Sequence, residues 1–137
     1  MKEKIFAIID TETLGGAAQT KCPTYHCAGI AFSKTEEVSR INIVVLENLM
    51  LDNAFYGQFK KEYYRNLLRE PSTVICYTEE EAKAIFSQWL VENNISCVCA
   101  HNSGFDFNKT FVAECINGIE FIDTWLAFFE TIGQYRK

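Results

Sequence analysis

Two carboxylates separated by a single residue, Asp10 and Glu12, follow a run of apolar residues near the start of the chain. The run, residues 5–9, includes three isoleucines and predicts a short strand that is buried on both faces. Side chains alternate along a strand, so the two carboxylates point to the same side, where they repel each other unless a cation lies between them. Oxygen ligands of this kind suit Mg²⁺ or Mn²⁺ better than zinc. The spacing therefore predicts a divalent-metal site, the alternative being two solvated acids at a strand end.

A second polar cluster follows another short apolar run, residues 95–100. Asn102, Phe105 and Asp106 occur there with the spacing N-x-x-F-D. Asp106 falls in the first turn of a predicted helix, where the helix dipole favours a carboxylate whether or not it binds a ligand. At this level Phe105 is equally well a core residue and Asn102 a turn residue.

The remaining pattern predicts the elements that would position these clusters. Polar residues 33–36 separate two apolar runs and suit a hairpin, and Thr78 begins a capping box that opens a helix. Residues 74–77 are interpreted as a connector. We expect strands at 5–9, 25–32, 37–47, 95–100 and 119–122, and helices at 54–69, 79–92, 105–116 and beyond Asp123–Thr124. This order indicates an α/β domain with a mixed five-stranded sheet, an antiparallel meander extended by parallel crossovers and flanked by helices.

Composition and charge limit the class of protein. With 137 residues, of which 48 % are hydrophobic, we expect one globular domain over residues 1–137. The net charge of −5 is unlike that of most nucleic-acid binders, although cations held by acidic residues would reverse it locally. We expect no membrane span, because no window approaches about 20 consecutive apolar residues. Six cysteines without a preceding secretory signal favour reduced thiols in a cytoplasmic protein.

Taken together, the two polar clusters resemble the first two motifs of the DEDD superfamily of 3′–5′ exonucleases. This superfamily includes the proofreading subunit of bacterial replicative DNA polymerase and ribonuclease T. The matching stretches are DTET at residues 10–13, HNSGFD at 101–106 and the strand-to-helix step IDTWL at 122–126. The resemblance implies a single exonuclease domain with an RNase H-like fold. It also implies hydrolysis of phosphodiester bonds at the 3′ end of DNA or RNA.

The metal ligands of that family map onto three acids of this chain. The resemblance implies that Asp10 bridges two divalent cations, Mg²⁺ or Mn²⁺, that Glu12 binds the cation that activates water, and that Asp106 holds the other. Two such cations about 4 Å apart stabilise both the attacking and the leaving oxygen of an in-line phosphoryl displacement.

The same resemblance implies which residues contact the substrate. Thr13 and Leu14, directly after Glu12, would meet the terminal nucleotide, with Leu14 as an apolar wedge between bases. Asn102 and Phe105 would form the floor of the cleft. The expected partner is a single-stranded 3′ end, with a second copy or another chain as a further possible partner.

The family's last motif, His-x-x-x-x-Asp or Tyr-x-x-x-Asp, does not occur after Asp106. This leaves the fourth carboxylate and the general base unassigned, and a general base contributes typically about 10²–10⁴-fold in rate. Asp123 could replace the missing acid, but it is interpreted more simply as a helix cap. We therefore expect an RNase H-like domain truncated at its C-terminus: an enzyme fragment, part of a split or oligomeric enzyme, or a shortened relative that no longer cuts. The alternative function is a non-catalytic module that binds nucleic acid or protein.

Cysteine and histidine positions raise a separate question of zinc. Cys22, His26 and Cys27 are close in the sequence, and Cys97 and Cys99 share a face of their predicted strand, near His101. The sequence contains no C-x-x-C pair. Buried cysteine is therefore favoured over structural zinc.

Overall fold

A computed structural model describes the chain at residues 3–14, 21–51, 57–100 and 109–124. These residues form strands that build one sheet, together with helices, two of them a single turn long. The strands are β1 (Ile5–Thr13), β2 (Thr24–Phe32), β3 (Glu37–Val45), β4 (Val74–Cys76), β5 (Ile95–Ala100) and β6 (Glu120–Asp123). The helices are α1 (Leu46–Leu49), α2 (Gly57–Leu67), α3 (Glu79–Glu92) and α4 (Val112–Cys115).

The sheet is mixed and six-stranded, in the order β4-β3-β2-β1-β5-β6. Only β2 runs against its neighbours, because β1–β2 and β2–β3 are antiparallel whereas β3–β4, β1–β5 and β5–β6 are parallel. The predicted α/β class and the meander extended by parallel strands are confirmed. The prediction of five strands is wrong, because residues 74–76, interpreted as a connector, pair with the end of β3 and form β4. Three apolar residues are too few to show strand periodicity without that partner.

The first strand is longer than predicted and is buried on one face only. Ala7 and Ile9 are buried, whereas Ile8 is 51 % exposed. Asp10 and Glu12 are also exposed, and they lie within β1 rather than beyond its end. The prediction of burial on both faces is wrong, because isoleucine suits extended backbone whether or not its face is covered. We call the side of the sheet that carries Ile9 the inner face and the side that carries Ile8 the outer face.

The hydrophobic core lies between the inner face and α3. The helix begins as predicted, with the Thr78 side chain accepting a hydrogen bond of 3.2 Å from the backbone N–H of Glu81. Its buried stripe contains Phe86, Trp89 and Leu90, which pack on the inner face. The indole of Trp89 also donates a 3.0 Å hydrogen bond to the hydroxyl of Ser39 on β3, because a buried indole N–H needs an acceptor.

Two predicted elements differ from the structure where it describes them. The third strand ends at Val45, and the next four residues form the one-turn helix α1. The described part of the predicted helix at 105–116 is interrupted by a turn at Thr110 and Phe111, after which α4 begins. The prediction of a final helix beyond Asp123–Thr124 falls almost entirely outside the described residues.

Two general features of the described residues complete the fold. All six cysteines are free thiols, and all but Cys115 are buried. Helices in the described ranges are too short or too polar to cross a membrane.

Candidate metal centre

The two acids of the first cluster lie on the outer face, one pleat apart. Their side chains are both exposed, as is that of Ile8 on the same face of β1. The predicted sharing of one face is confirmed, because alternate residues of β1 point the same way. Two cross-strand rows therefore run over the outer face from these acids: Asp10–Ala28–Asn42 and Glu12–His26–Val44.

The parallel neighbour of β1 ends near the acids. Ile8 is paired with Cys99 on β5, so β1 continues past the level at which β5 ends at Ala100. Asp10 is two residues beyond Ile8, so it lies one residue beyond the level of Ala100, the last described residue before the second cluster.

Lys109, the first described residue after the second cluster, lies close by. Its carbonyl accepts a 2.8 Å hydrogen bond from the backbone N–H of Cys22, and the carbonyl of Pro23 accepts one of 2.8 Å from that of Leu14. Ala100 and Lys109, the described residues on either side of positions 101–108, are thus both near the edge where β1 ends. Asn102, Phe105 and Asp106 themselves lie outside the described residues, and their roles stay predictions.

Thr13 and Leu14, the predicted contacts of a terminal nucleotide, are half-buried directly beyond the acids. The pairing register shifts between Glu12 and Thr13, after which Thr13 pairs with Thr24. Such an irregularity bends a strand and changes the direction of the side chains that follow it. These two residues are therefore positioned next to the carboxylates, and their contact with substrate remains a prediction.

A hydrogen-bonded cluster beside Glu12 was missed by the sequence reasoning. His26 is only 8 % exposed, its Nδ1 lies 3.2 Å from the hydroxyl of Tyr64 on α2, and its Nε2 contacts Oδ1 of Asn42 on β3. Burial raises the pKa of Tyr64 well above its ordinary value, and Tyr25 and the charge of Glu12 raise it further. The tyrosine is therefore a neutral hydroxyl at neutral pH. The feature of the sequence that could have indicated this cluster is a histidine at an outer-face position of β2.

Asp123 does not join the two outer-face acids. It ends β6, where it is paired with Ala100. The preceding pair, Cys99 and Ile122, lies in register with Ile8 on the outer face. Because faces alternate along a strand, Asp123 is on the inner-face side. This placement disfavours Asp123 as a replacement for the missing fourth acid.

Cationic side chains near this edge already have acidic partners. Glu114 on α4 forms ion pairs with Lys21 and Lys83, and Lys83 also pairs with Glu80 at 2.8 Å. The hydrogen bonds from Lys21 and Lys83 lower the pKa of Glu114 to about 2. Lys21, Lys83 and Glu114 line a small cleft of about 180 Å³ beside Pro23. Since Glu114 and Glu80 together balance the charges of the two lysines, the cleft is not a ready anion site.

Among the described residues, which exclude His101, those considered for zinc form no group that could hold a metal ion. Cys27 is paired with Thr11 and Ile43 on the inner face, opposite to His26. Cys97 and Cys99 do share the outer face, as predicted from their spacing. Burial, together with the neighbouring Cys97, raises the pKa of the Cys99 thiol to about 11. A protonated thiol is a poor metal ligand at neutral pH.

Asp10 and Glu12 suit a hard divalent cation by donor type and by exposure, since carboxylate oxygens are the ligands that Mg²⁺ and Mn²⁺ prefer. They do not complete a site by themselves: in the described ranges no three His, Cys, Asp or Glu side chains are grouped closely enough to hold a metal ion. The predicted third ligand, Asp106, lies outside those ranges.

Neither the models of protein families nor the curated proteins compared with this chain give a match. The assignment of the site therefore depends on the geometry of the outer face.

Proposed function

We propose that this chain is a metal-dependent 3′–5′ exonuclease of the DEDD type, acting on single-stranded ends of DNA or RNA. The observation that carries the proposal is the pair of exposed carboxylates, Asp10 and Glu12, at the sheet edge where the described residues Ala100 and Lys109 also lie. The residues between these two in sequence, 101–108, carry the second cluster of the motif pattern, which includes Asp106. We infer that the two clusters meet at this edge.

The fold that accompanies this proposal is RNase H-like. Its support is the antiparallel meander β1–β2–β3, extended beyond β1 by two parallel strands, with the acids on the central strand β1. The carboxyl ends of parallel strands meet at one edge, so ligands carried by β1 and by the residues after β5 would converge there. The additional strand β4 pairs with β3 and is separated from β1 by β3 and β2.

Each proposed residue has a role consistent with its place. Asp10, Glu12 and Asp106 would hold the Mg²⁺ or Mn²⁺ ions, which when bound stabilise the negative charge of the reacting phosphodiester. Thr13 and Leu14 would contact the terminal nucleotide, because they follow the acids directly at the end of β1. The remaining carboxylate and general base would come from a missing segment, from a second copy of the chain or from a partner chain.

The experiment is digestion of a 3′-labelled single-stranded oligonucleotide with Mn²⁺, together with Mn²⁺ titration calorimetry. Asp10→Asn removes one anionic ligand without changing shape, and Glu36→Gln removes the same charge from the β2–β3 hairpin, where Glu36 is exposed. We expect stepwise shortening by the unmutated chain and by Glu36→Gln, and none by Asp10→Asn. At a Mn²⁺ concentration 100 times Kd, binding adds about 2.7 kcal/mol to the free energy of unfolding, and Asp10→Asn loses most of it.

Hydrolysis that survives Asp10→Asn in pure protein would contradict the site assignment. The second candidate function is a non-catalytic binding module, favoured by the net charge of −5. It predicts oligonucleotide or protein binding that is the same in Asp10→Asn and in the unmutated chain, with no shortening and no dependence on Mn²⁺.

A further inference from the structure

His26 is a buried histidine whose two ring nitrogens both contact side chains of other elements. Asn42 on β3 contacts Nε2, and Tyr64 on α2 contacts Nδ1 at 3.2 Å. The rings of His26 and Tyr64 also meet edge to face, with centroids 5.5 Å apart. His26 therefore connects α2 to the two strands β2 and β3 through polar groups that are largely removed from water.

The donors and acceptors of this cluster are determined by chemistry. Oδ1 of Asn42 can only accept a hydrogen bond, so Nε2 of His26 carries the proton and donates it. In the neutral imidazole Nδ1 is then the acceptor, and the hydroxyl of Tyr64 donates to it. The hydrogen bonds of that tautomer run in one direction, from Tyr64 through His26 to Asn42.

The hydrogen-bonded cluster of Tyr64, His26 and Asn42 crosses both rows of residues that start at the candidate metal ligands. His26 is the register partner of Glu12, and Asn42 is in the row of Asp10, beyond Ala28. The methyl group of Ala28 is the smallest side chain of the two rows. It therefore leaves a shallow depression in this part of the outer face, between Asp10 and Asn42. Tyr64, only 5 % exposed, stands at the side of this depression next to His26.

A buried imidazole needs hydrogen-bond partners for its ring nitrogens, and those of His26 come from two further elements. These contacts restrict the rotation of the ring and connect α2 to β2 and β3. Groups that hold a metal ligand or its surroundings in place are often as important for metal affinity as neighbouring ligands.

We propose that His26 is a positioning residue of the metal centre: through Tyr64 and Asn42 it holds α2 on the outer face as the wall beside Glu12. This inference rests on the proposed function, because it assigns Glu12 as a metal ligand. With the wall in place, the Glu12 carboxylate is confined to the side of the depression that faces Asp10. Without it, the carboxylate samples more rotamers and binds a cation less tightly.

The test compares Mn²⁺ affinity, by calorimetry, with the melting temperature of the metal-free protein. Tyr64→Phe removes the hydroxyl but keeps the ring, and Tyr63→Phe makes the same change at the exposed neighbouring position. We expect Tyr64→Phe to raise the Kd for Mn²⁺ about tenfold, and Tyr63→Phe to change it by less than about twofold. His26→Gln, which can still donate to Asn42 but offers Tyr64 no ring nitrogen, should weaken Mn²⁺ binding like Tyr64→Phe and provides a second variant if the first does not fold.

A merely structural role would lower the melting temperature of Tyr64→Phe and leave its Mn²⁺ affinity unchanged. Unchanged affinity in both Tyr64→Phe and His26→Gln, with normal binding by the unmutated chain, would overturn this inference alone. If the unmutated chain itself binds no Mn²⁺, the proposed function fails and this inference fails with it.

Discussion

The two faces of the sheet use neighbouring residues of β1 in opposite ways. Ile9 on the inner face is 2 % exposed and belongs to the core, whereas Ile8 on the outer face is 51 % exposed. On the inner face, α3 covers the strands with aromatic and aliphatic side chains. The outer face instead presents Asp10 and Glu12, with a polar cluster at their side. The comparison shows that at the middle of β1 the inner face is covered by the core and the outer face is open to solvent.

The inner face depends on close packing of large side chains against small ones. Trp89 stacks on Phe86 with ring centroids 5.9 Å apart and lies directly over Gly29 of β2. Interiors packed at this density have little room to adjust, so changes of even one methyl group are felt. On the outer face the polar contacts of His26 connect α2 to the sheet. These contacts depend on the orientation of hydrogen-bonding groups rather than on how completely side chains fill the space.

The largest expected effect comes from emptying the inner face at Trp89. Trp89→Ala removes a 7 % exposed indole and its hydrogen bond to Ser39, and it should lower the free energy of unfolding by about 3–5 kcal/mol. Urea denaturation followed by circular dichroism measures this. A loss below about 1 kcal/mol, the usual range for surface positions, would mean that α3 does not form the core of the fold.

An intermediate effect is expected when the same substitution is made at two adjacent residues that lie on opposite faces of the sheet. Ile9→Thr places a hydroxyl in the core without a designed partner and should cost about 2–3 kcal/mol of unfolding free energy. Ile8→Thr makes the same change on the exposed face and should cost less than about 1 kcal/mol. Equal losses in the two variants, measured by urea denaturation, would show that the outer face is as well covered as the inner one.

The smallest expected effect tests the contact between Gly29 and α3. A Cβ at position 29 would lie 2.9 Å from Cδ1 of Ile9 and 3.0 Å from Cη2 of Trp89, closer than carbon atoms pack. Gly29→Ala should therefore cost about 1–2 kcal/mol of unfolding free energy. The matched change Ala28→Ser adds one atom at the neighbouring outer-face position and should stay within about 0.5 kcal/mol. A stabilised Gly29→Ala variant would contradict the close approach of Trp89.

Several local features could be predicted from the sequence because they depend on residues near in the chain. Thr78 is three residues before Glu81, and the cap it makes requires only the helix that follows. The alternation of side chains along β1 places Asp10 and Glu12 on one face whatever the strand pairs with. The hairpin between β2 and β3 follows from polar residues 33–36.

Other features could not be predicted, because they depend on partners far away in the chain. The strand at residues 74–76 exists through its pairing with Ile43 and the residues after it. The connection of His26 to Tyr64 joins residues 38 positions apart, and no local pattern relates them. The placement of Asp123 on the inner-face side depends on the register of β6 with β5.

The sequence by itself determined the types of residue that could hold a cation, their spacing on β1, and the alternation that directs them to one face. Local sterics and capping are sufficient for that, since they act within a few residues. Only the tertiary structure decided which face α3 covers, that β5 pairs with β1 in the register of Ile8 with Cys99, and that Tyr64 of α2 contacts His26 beside Glu12. These outcomes depend on long-range pairing and burial, which depend on the whole chain at once.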